Sequence, residues 1–102
     1  MSEGGHQIRT EKTDEGFILR IDTDKFNFSC HHSFRSSYKD IPPGTSIKVD
    51  FSKVNYMDSS ALGMLLLLRE HLGKEKSVTF INCKESIRNI FAVANFQELF
   101  IL

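Results

Sequence analysis

The sequence predicts an α/β fold in which a mostly parallel, mixed β-sheet of about five strands combines with about three helices. Short β-type runs alternate along the chain with longer segments whose apolar residues recur at intervals of three and four. Because strands that alternate with helices are joined by crossovers, most of the sheet should be parallel. The 102 residues, 40% hydrophobic and 25% charged, suit one domain. We expect this domain to span residues 7–102, after a flexible leader at residues 1–6.

The start of the chain predicts an antiparallel hairpin. Residues 6–12 form its first, edge strand. A turn at Thr13–Gly16 follows, because glycine can adopt the positive φ that a tight turn needs. The apolar run Phe17–Ile21 then forms the second strand.

A polar loop and a first helix are predicted next. The loop covers Asp22–Asn27, and Asn27 or Ser29 serves as the N-cap of a helix over Phe28–Lys39. The helix must end before Pro42-Pro43-Gly44, since proline cannot continue it.

The remainder of the chain predicts three strands and two helices. Period-two alternation and β-branched residues indicate the strands, and apolar spacings of three and four indicate the helices. In chain order these are a strand at Ser46–Phe51, a helix from Asp58 closed by Gly73 with Lys74 and Lys76 at its carbonyl end, a strand at Ser77–Asn82, a helix at Ser86–Asn95 and a strand at Leu99–Leu102.

The helix that begins at Asp58 is the element around which the candidate site is organised. The Asp58 carboxylate can accept hydrogen bonds from the first-turn amides, and its charge suits the positive end of the helix dipole. A helical wheel places Ser60 on a flank between a buried and an outward side. The buried side carries Ala61, Met64, Leu65, Leu68 and Leu72, and the outward side carries Ser59, Gly63, Leu66 and Glu70.

Ser59 is a candidate site for a phosphoryl group. It follows the carboxyl end of a predicted parallel strand, where open α/β sheets place their functional residues. The free amides and the dipole of a helix N-terminus favour an anion there. A second interpretation stays open, because Asp-Ser-Ser is also an ordinary helix start.

Charge and hydropathy argue against several functional classes. Lysine plus arginine and aspartate plus glutamate number thirteen each, so neither a nucleic-acid surface nor an anionic-membrane patch is indicated. The longest apolar run, Met64–Leu68, is far too short to span a bilayer, and a cytoplasmic location is predicted. Cys30 and Cys83 lack metal-ligand spacing, which predicts structural thiols.

The strand followed by Met57-Asp58-Ser59-Ser60-Ala61-Leu62-Gly63 resembles a STAS domain, the family of sulfate-transporter and anti-sigma-factor-antagonist domains. The segments Ser86–Phe91 and Phe96–Phe100 resemble the last helix and the closing strand of that family. The resemblance extends from Ile8 to Leu102 and implies a STAS fold of the stand-alone bacterial antagonist type.

The resemblance implies a phosphorylation switch at Ser59. In bacterial antagonists of this kind, a protein kinase of histidine-kinase-like ATPase fold phosphorylates the serine after the motif aspartate, and a metal-dependent serine phosphatase restores it. The implied function is control of gene expression, biofilm, motility or stress signalling, without catalysis, cofactor or metal. The residues expected to bind the kinase or anti-sigma-factor-like regulator are Asn27, Phe28, Asp58, Ser60, Gly63, Leu66 and Glu70.

Two positions depart from the family pattern. Ala61 stands where glycine is common, and its methyl group points to the predicted core. Asn27 stands where an aspartate is usual, which retains the capping role and removes a negative charge near Ser59.

Other functions and assemblies remain open. A STAS domain can also serve as a non-catalytic accessory subunit of a membrane transporter complex. An enzyme with Ser59 as nucleophile is disfavoured, because the chain has no Gly-x-Ser-x-Gly elbow and no identifiable histidine base. The resemblance implies a monomer, whereas Leu66 with its neighbours Leu62 and Leu67 could equally hold a dimer.

Overall fold

A four-stranded mixed sheet lies at the centre of the fold in this computed structural model, which describes residues 7–73 and 77–102. The described strands and α-helices are β1 (Ile8–Thr13), β2 (Gly16–Ile21), β3 (Lys25–Phe26), α1 (His31–Tyr38), β4 (Ile47–Asp50), β5 (Tyr56–Met57), α2 (Ser59–Leu72), β6 (Val78–Ile81) and α3 (Glu85–Val93). The predicted leader and the predicted C-terminal lysines of α2, Lys74 and Lys76, lie outside the described residues.

The sheet has the strand order β1-β2-β4-β6. β1 runs antiparallel to β2, whereas β2 with β4 and β4 with β6 are parallel. The predicted α/β class, with its N-terminal hairpin and mostly parallel sheet, is thereby confirmed. A separate parallel pair, β3 with β5, lies where the sequence predicted only loop.

The hairpin depends on the glycine at its turn. Gly16 has a φ of +148°, which side-chain-bearing residues rarely adopt. The next residue, Phe17, donates its amide to the Ser46 carbonyl oxygen at 3.2 Å. A Cβ atom on Gly16 would lie 2.0 Å from that same oxygen. Glycine is therefore needed here for close backbone approach as well as for its conformation.

The buried side of α2 is the one that the helical wheel predicted. Ala61, Met64, Leu65, Leu68 and Leu72 are all buried. The helix begins after the predicted cap Asp58 and ends at Gly73, whose φ of +71° is the left-handed conformation common at helix ends.

An aromatic cluster joins α3 and the C-terminal residues to the sheet. The ring centroid of Phe80 in β6 lies 4.6 Å from those of Phe91 and Phe100. Phe51, directly after β4, lies 5.1 Å from Phe80 and 5.4 Å from Phe91. Each such pair contributes about 0.5–1.5 kcal/mol beyond its burial. The cluster therefore holds residues 85–102 against the sheet.

Two predicted helices have different boundaries in the structure. Residues 28–30 form a 3-10 turn, and α1 begins only at His31, so the predicted start at Phe28 is wrong as an α-helical start. The last helix begins at Glu85 instead of Ser86, because the extended backbone of Lys84 forms its cap without a side-chain bond. It ends at Val93 instead of Asn95, which has a left-handed φ of +59°.

The predicted closing strand is also wrong. Only Ile101 forms a bridge, parallel to Thr79 of β6, and a 3-10 turn occupies Phe96–Glu98. The amide of Phe100 donates to the carbonyl of Phe96 at 2.9 Å. This helical hydrogen bond places both phenylalanine rings in the aromatic cluster. In a strand, Leu99 and Leu102 would also pair with β6.

A buried carboxylate fixes the loop that leads from the sheet towards β5. Asp50, at the end of β4, is 4% exposed and accepts from Arg20 Nη1 at 2.5 Å and from Asn82 Nδ2 and the Ser52 amide at 3.0 Å. Burial alone would raise the pKa of Asp50, but the hydrogen bonds from Asn82, Ser52 and Arg20 outweigh it and hold the pKa below its usual value.

Replacement of Gly16 by alanine should destabilise the fold strongly. The new Cβ would meet the Ser46 carbonyl oxygen as well as strain φ, so we expect a loss of more than about 2 kcal/mol in the free energy of unfolding. Gly44→Ala is the matched control, because Gly44 has a φ of +88° with no atom within 4 Å of a Cβ. Its expected loss is about 1 kcal/mol. Equal losses in urea denaturation would contradict the role given to Ser46.

Asp50 should make the fold sensitive to acid. Because its pKa is lower folded than unfolded, the stability it contributes is complete above the unfolded value of about 4 and is lost as the pH falls through the folded value. Asp50→Asn should therefore show a shallower decline of unfolding free energy than the unsubstituted protein below about pH 4. Urea denaturation between pH 7 and pH 2.5 measures both slopes, and parallel declines would rule out this role for Asp50.

Candidate functional site

The parallel pair β3–β5 brings two helix starts together. Phe26 lies opposite Met57 in the register, and both side chains are buried. The next residues, Asn27 and Asp58, are both extended, with φ of −138° and −121°. Adjacent strands lie about 4.8 Å apart, so the two chains leave the pair side by side. The 3-10 turn before α1 and the first turn of α2 therefore begin next to each other.

The 3-10 turn is capped by Asn27, one of the two residues that the sequence offered, and α2 is capped by the predicted Asp58. Asn27 Oδ1 accepts from the amide of Ser29 at 3.0 Å and from its hydroxyl at 2.7 Å. Asp58 Oδ1 accepts from the Ser60 hydroxyl at 2.6 Å and from the Ala61 amide at 3.2 Å. The hydrogen bond from Ser60, with those from backbone amides, lowers the pKa of Asp58. The cap therefore carries a full negative charge at neutral pH.

The two serines at the start of α2 have different environments. Ser60 is half-buried, and its hydroxyl donates to Asp58. Ser59 is exposed, and its hydroxyl has no hydrogen-bond partner in the part of the chain that the structure describes. Of the two hydroxyls, that of Ser59 is the one that an incoming group can reach.

The remaining predicted site residues extend the surface in two directions. Along α2, Gly63 and Glu70 are exposed and Leu66 is 40% exposed. With a rise of 1.5 Å per residue, Glu70 lies roughly 16 Å from Ser59. On the other side of the β3–β5 pair, Phe28 is 67% exposed and stacks on His31 with 5.2 Å between ring centroids. We group these residues with Asn27, Asp58 and Ser60 as the Ser59 surface.

Several exposed apolar residues near the Ser59 surface were not predicted as site residues. Tyr56 of β5 is 51% exposed, and Leu67 of α2 is 49% exposed. Val93 of α3 is 86% exposed and lines an apolar groove between α2 and α3 with Leu62, Ile90 and Ala94. The sequence did indicate an exposed apolar side chain at Val93, because this residue lies outside the row of apolar positions that form the buried face of α3.

The described residues offer little for metal or acyl-transfer chemistry at this site. Among residues 7–73 and 77–102, no group of three or more His, Cys, Asp and Glu could hold a metal ion. Within the same residues, no histidine is hydrogen-bonded to Ser59. Both cysteines are free thiols, and burial raises the pKa of Cys83 to about 11. None of the described helices is long and apolar enough to cross a membrane.

Comparison with known proteins identifies the family of this chain. A family model described as "Mlab, STAS domain" matches residues 8–102. A STAS-domain containing protein from Pseudomonas aeruginosa (strain UCBPP-PA14) is 44% identical over 79 residues, which cover 74% of this chain and 77% of that protein.

Solved structures with the same fold extend the comparison. The anti-sigma factor antagonist SpoIIAA in its unphosphorylated form matches 93% of this chain and 87% of its own, with a TM-score of 0.63 at 17% identity. A Thermotoga maritima protein assigned as an anti-sigma factor antagonist matches 98% of this chain and 88% of its own, with a TM-score of 0.71 at 15% identity. At such identities the structures show a shared fold. The family match and the Pseudomonas relative show that this chain belongs to the STAS domain family.

Proposed function

We propose that this protein is a binding module switched by phosphorylation. It binds a regulator or a serine protein kinase through the Ser59 surface while Ser59 is unmodified, and it releases this partner once Ser59 carries a phosphoryl group. The observation that carries the proposal is the difference between the two serines. Ser60 is engaged with Asp58, whereas the Ser59 hydroxyl is exposed and has no hydrogen-bond partner among the residues that the structure describes.

The electrostatics of the site provide a mechanism for release. A kinase would transfer the γ-phosphoryl group of ATP to Ser59 Oγ, which loses its proton, and a metal-dependent phosphatase would return the serine by hydrolysis. The phosphate adds about −1.5 to −2 charges beside the ionised Asp58. A charge of this size is costly to bury in an interface that had buried a hydroxyl. Binding is therefore lost while the fold stays intact.

The shape of the Ser59 surface supports close docking of another protein. Gly63 presents bare backbone with no atom within 4 Å of where a Cβ would lie. Leu66, about two turns further along α2, and Phe28 on the other helix start have exposed apolar side chains that offer contact area to a docked partner. The site thus has an apolar contact area around one modifiable hydroxyl.

The likeness to SpoIIAA supports a regulatory role rather than an enzymatic one. We propose a cytoplasmic protein, monomeric when free, that acts with an anti-sigma-factor-like regulator or kinase and a phosphatase. Its output would be control of bacterial gene expression, biofilm, motility or stress signalling.

A second candidate function is that of a non-catalytic accessory subunit of a membrane transporter complex. The observation that favours it is the apolar groove formed by Leu62, Ile90, Val93 and Ala94. Permanent interfaces are more apolar than transient ones, and an 86% exposed Val93 suits a subunit that stays bound. In this case the partner would be held irrespective of the state of Ser59.

Substitutions at Ser59 separate the two candidates. Tagged Ser59→Ala and Ser59→Asp proteins are expressed in the native cells, and captured partners are quantified by mass spectrometry. If Ser59 is a switch, Ser59→Ala should retain its partner. The amount of partner captured by Ser59→Asp should be at least tenfold lower, since the carboxylate imitates part of the phosphate charge.

Ser36→Asp is the matched control, because it adds the same charge to an exposed serine of α1 beside β1. Phosphosite mapping of the untagged protein from the same cells shows whether Ser59 is modified. Equal capture by both Ser59 variants of an ATPase subunit would instead support the accessory-subunit function.

Gly63 provides a test of the docking surface that does not involve charge. Glycine within a helix destabilises it by about 0.5–1 kcal/mol relative to alanine, and a methyl group at Gly63 would meet no neighbour. We expect Gly63→Ala to raise the free energy of unfolding by that amount and to weaken partner capture at least threefold. A variant that is more stable and captures the partner equally well would show that the partner does not approach this backbone.

A further inference from the structure

The side chain of Asn27 has a defined orientation. Its Oδ1 accepts both the amide of Ser29 at 3.0 Å and the hydroxyl of Ser29 at 2.7 Å. An amide nitrogen cannot accept the backbone N–H, so the oxygen must occupy this position. The Nδ2 group of Asn27 then points away from its own turn, and within residues 7–73 and 77–102 it has no hydrogen-bond partner.

The two helix starts bring the segment of Asn27 alongside the segment of Ser59. Asn27 and Asp58 follow the paired residues Phe26 and Met57 in extended backbone, about one strand spacing of 4.8 Å apart. Ser59 is the next residue after Asp58, and its exposed hydroxyl has no hydrogen-bond partner within residues 7–73 and 77–102. A phosphoseryl side chain and an asparagine side chain together are long enough to meet across this spacing.

A phosphate on Ser59 would therefore have unlike neighbours on its two sides. On its own segment lies Asp58, a carboxylate held by Ser60 and Ala61. On the β3 side lies Asn27, which is neutral and has two N–H groups to donate. An acid at position 27 would repel the phosphate, whereas the amide can bind it.

We infer that Asn27 is the residue that sets the stability of the phosphorylated state, by donating a hydrogen bond from Nδ2 to the phosphate on Ser59. This inference rests on the proposed phosphorylation of Ser59. It assigns Asn27 to regulation of the switch in addition to its structural role as a cap. The phosphorylated form should consequently persist longer, and carry its full charge to lower pH, than with an aspartate at this position.

The experiment uses the full chain with phosphoserine encoded at position 59 during translation, and follows the phosphorus-31 resonance during a pH titration. Asn27→Asp retains a capping oxygen, adds a charge and removes the donor. It should raise the second pKa of the phosphoserine by about half a unit or more. Asn27→Gly removes the donor without adding charge, and glycine at a cap lowers stability by only about a few tenths of a kcal/mol. This variant should raise the second pKa of the phosphoserine by a smaller but measurable amount.

Ser36→Asp is again the control for an added charge, and it should leave the titration midpoint unchanged. The other charged side chains of the two segments are Lys25, Asp58 and Asp24, the last of which accepts from Asn55 at 2.5 Å. All are present in every variant, so the comparison isolates position 27. An unchanged midpoint in Asn27→Gly, or a shift in Ser36→Asp as large as that in Asn27→Asp, would overturn the inference.

The encoded phosphoserine also separates this inference from the proposed function. The titration reports on Asn27 even if no kinase in the native cells modifies Ser59. Phosphosite mapping of the native protein reports on the kinase even if Asn27 has no effect on the titration. Each of the two ideas can thus fail without the other.

Discussion

The parallel pairing of β3 with β5 is the interaction on which the geometry of the Ser59 surface depends. It involves only two residues from each segment, so backbone hydrogen bonds alone could not maintain it. Phe26 supplies the missing stabilisation, because its ring lies 5.3 Å from Phe34 of α1 and 6.3 Å from Phe51 after β4. The pair is thereby attached to the core, and the two helix starts are held in place with it.

Polar contacts fix the same region from the other end. The carbonyl of Asp24 accepts the amides of Asn55 and Tyr56 at 2.8 Å and 3.1 Å, and its carboxylate accepts from the Asn55 side chain. Asp50 holds the amide of Ser52 at the beginning of the same loop. The segment between β4 and β5 is therefore restrained at both ends, and the orientation of Asp58 and Ser59 follows from contacts made well outside the site.

The sequence was sufficient to predict α2 almost completely, since burial imposes a 3.6-residue period that a wheel reveals. Ser59 and Leu66 were correctly predicted as exposed for this reason. The β3–β5 pair could not be predicted, because two-residue strands have no periodicity and their partners lie 31 positions apart. The strand predicted at Leu99–Leu102 failed for a different reason, since a short apolar run is compatible with a strand or a helical turn, and the packing of Phe100 on Phe96 selects the turn.

The same helix thus separates the residues that stabilise the fold from those that form the Ser59 surface. Leu65 and Leu68 are fully buried, whereas a Cβ at Gly63 would meet no neighbour within 4 Å, and a helical glycine reduces stability by about 0.5–1 kcal/mol relative to alanine. Under the proposed function, the missing side chain at Gly63, beside the Ser59 hydroxyl and the exposed Leu66, leaves the helix backbone open to a docking partner.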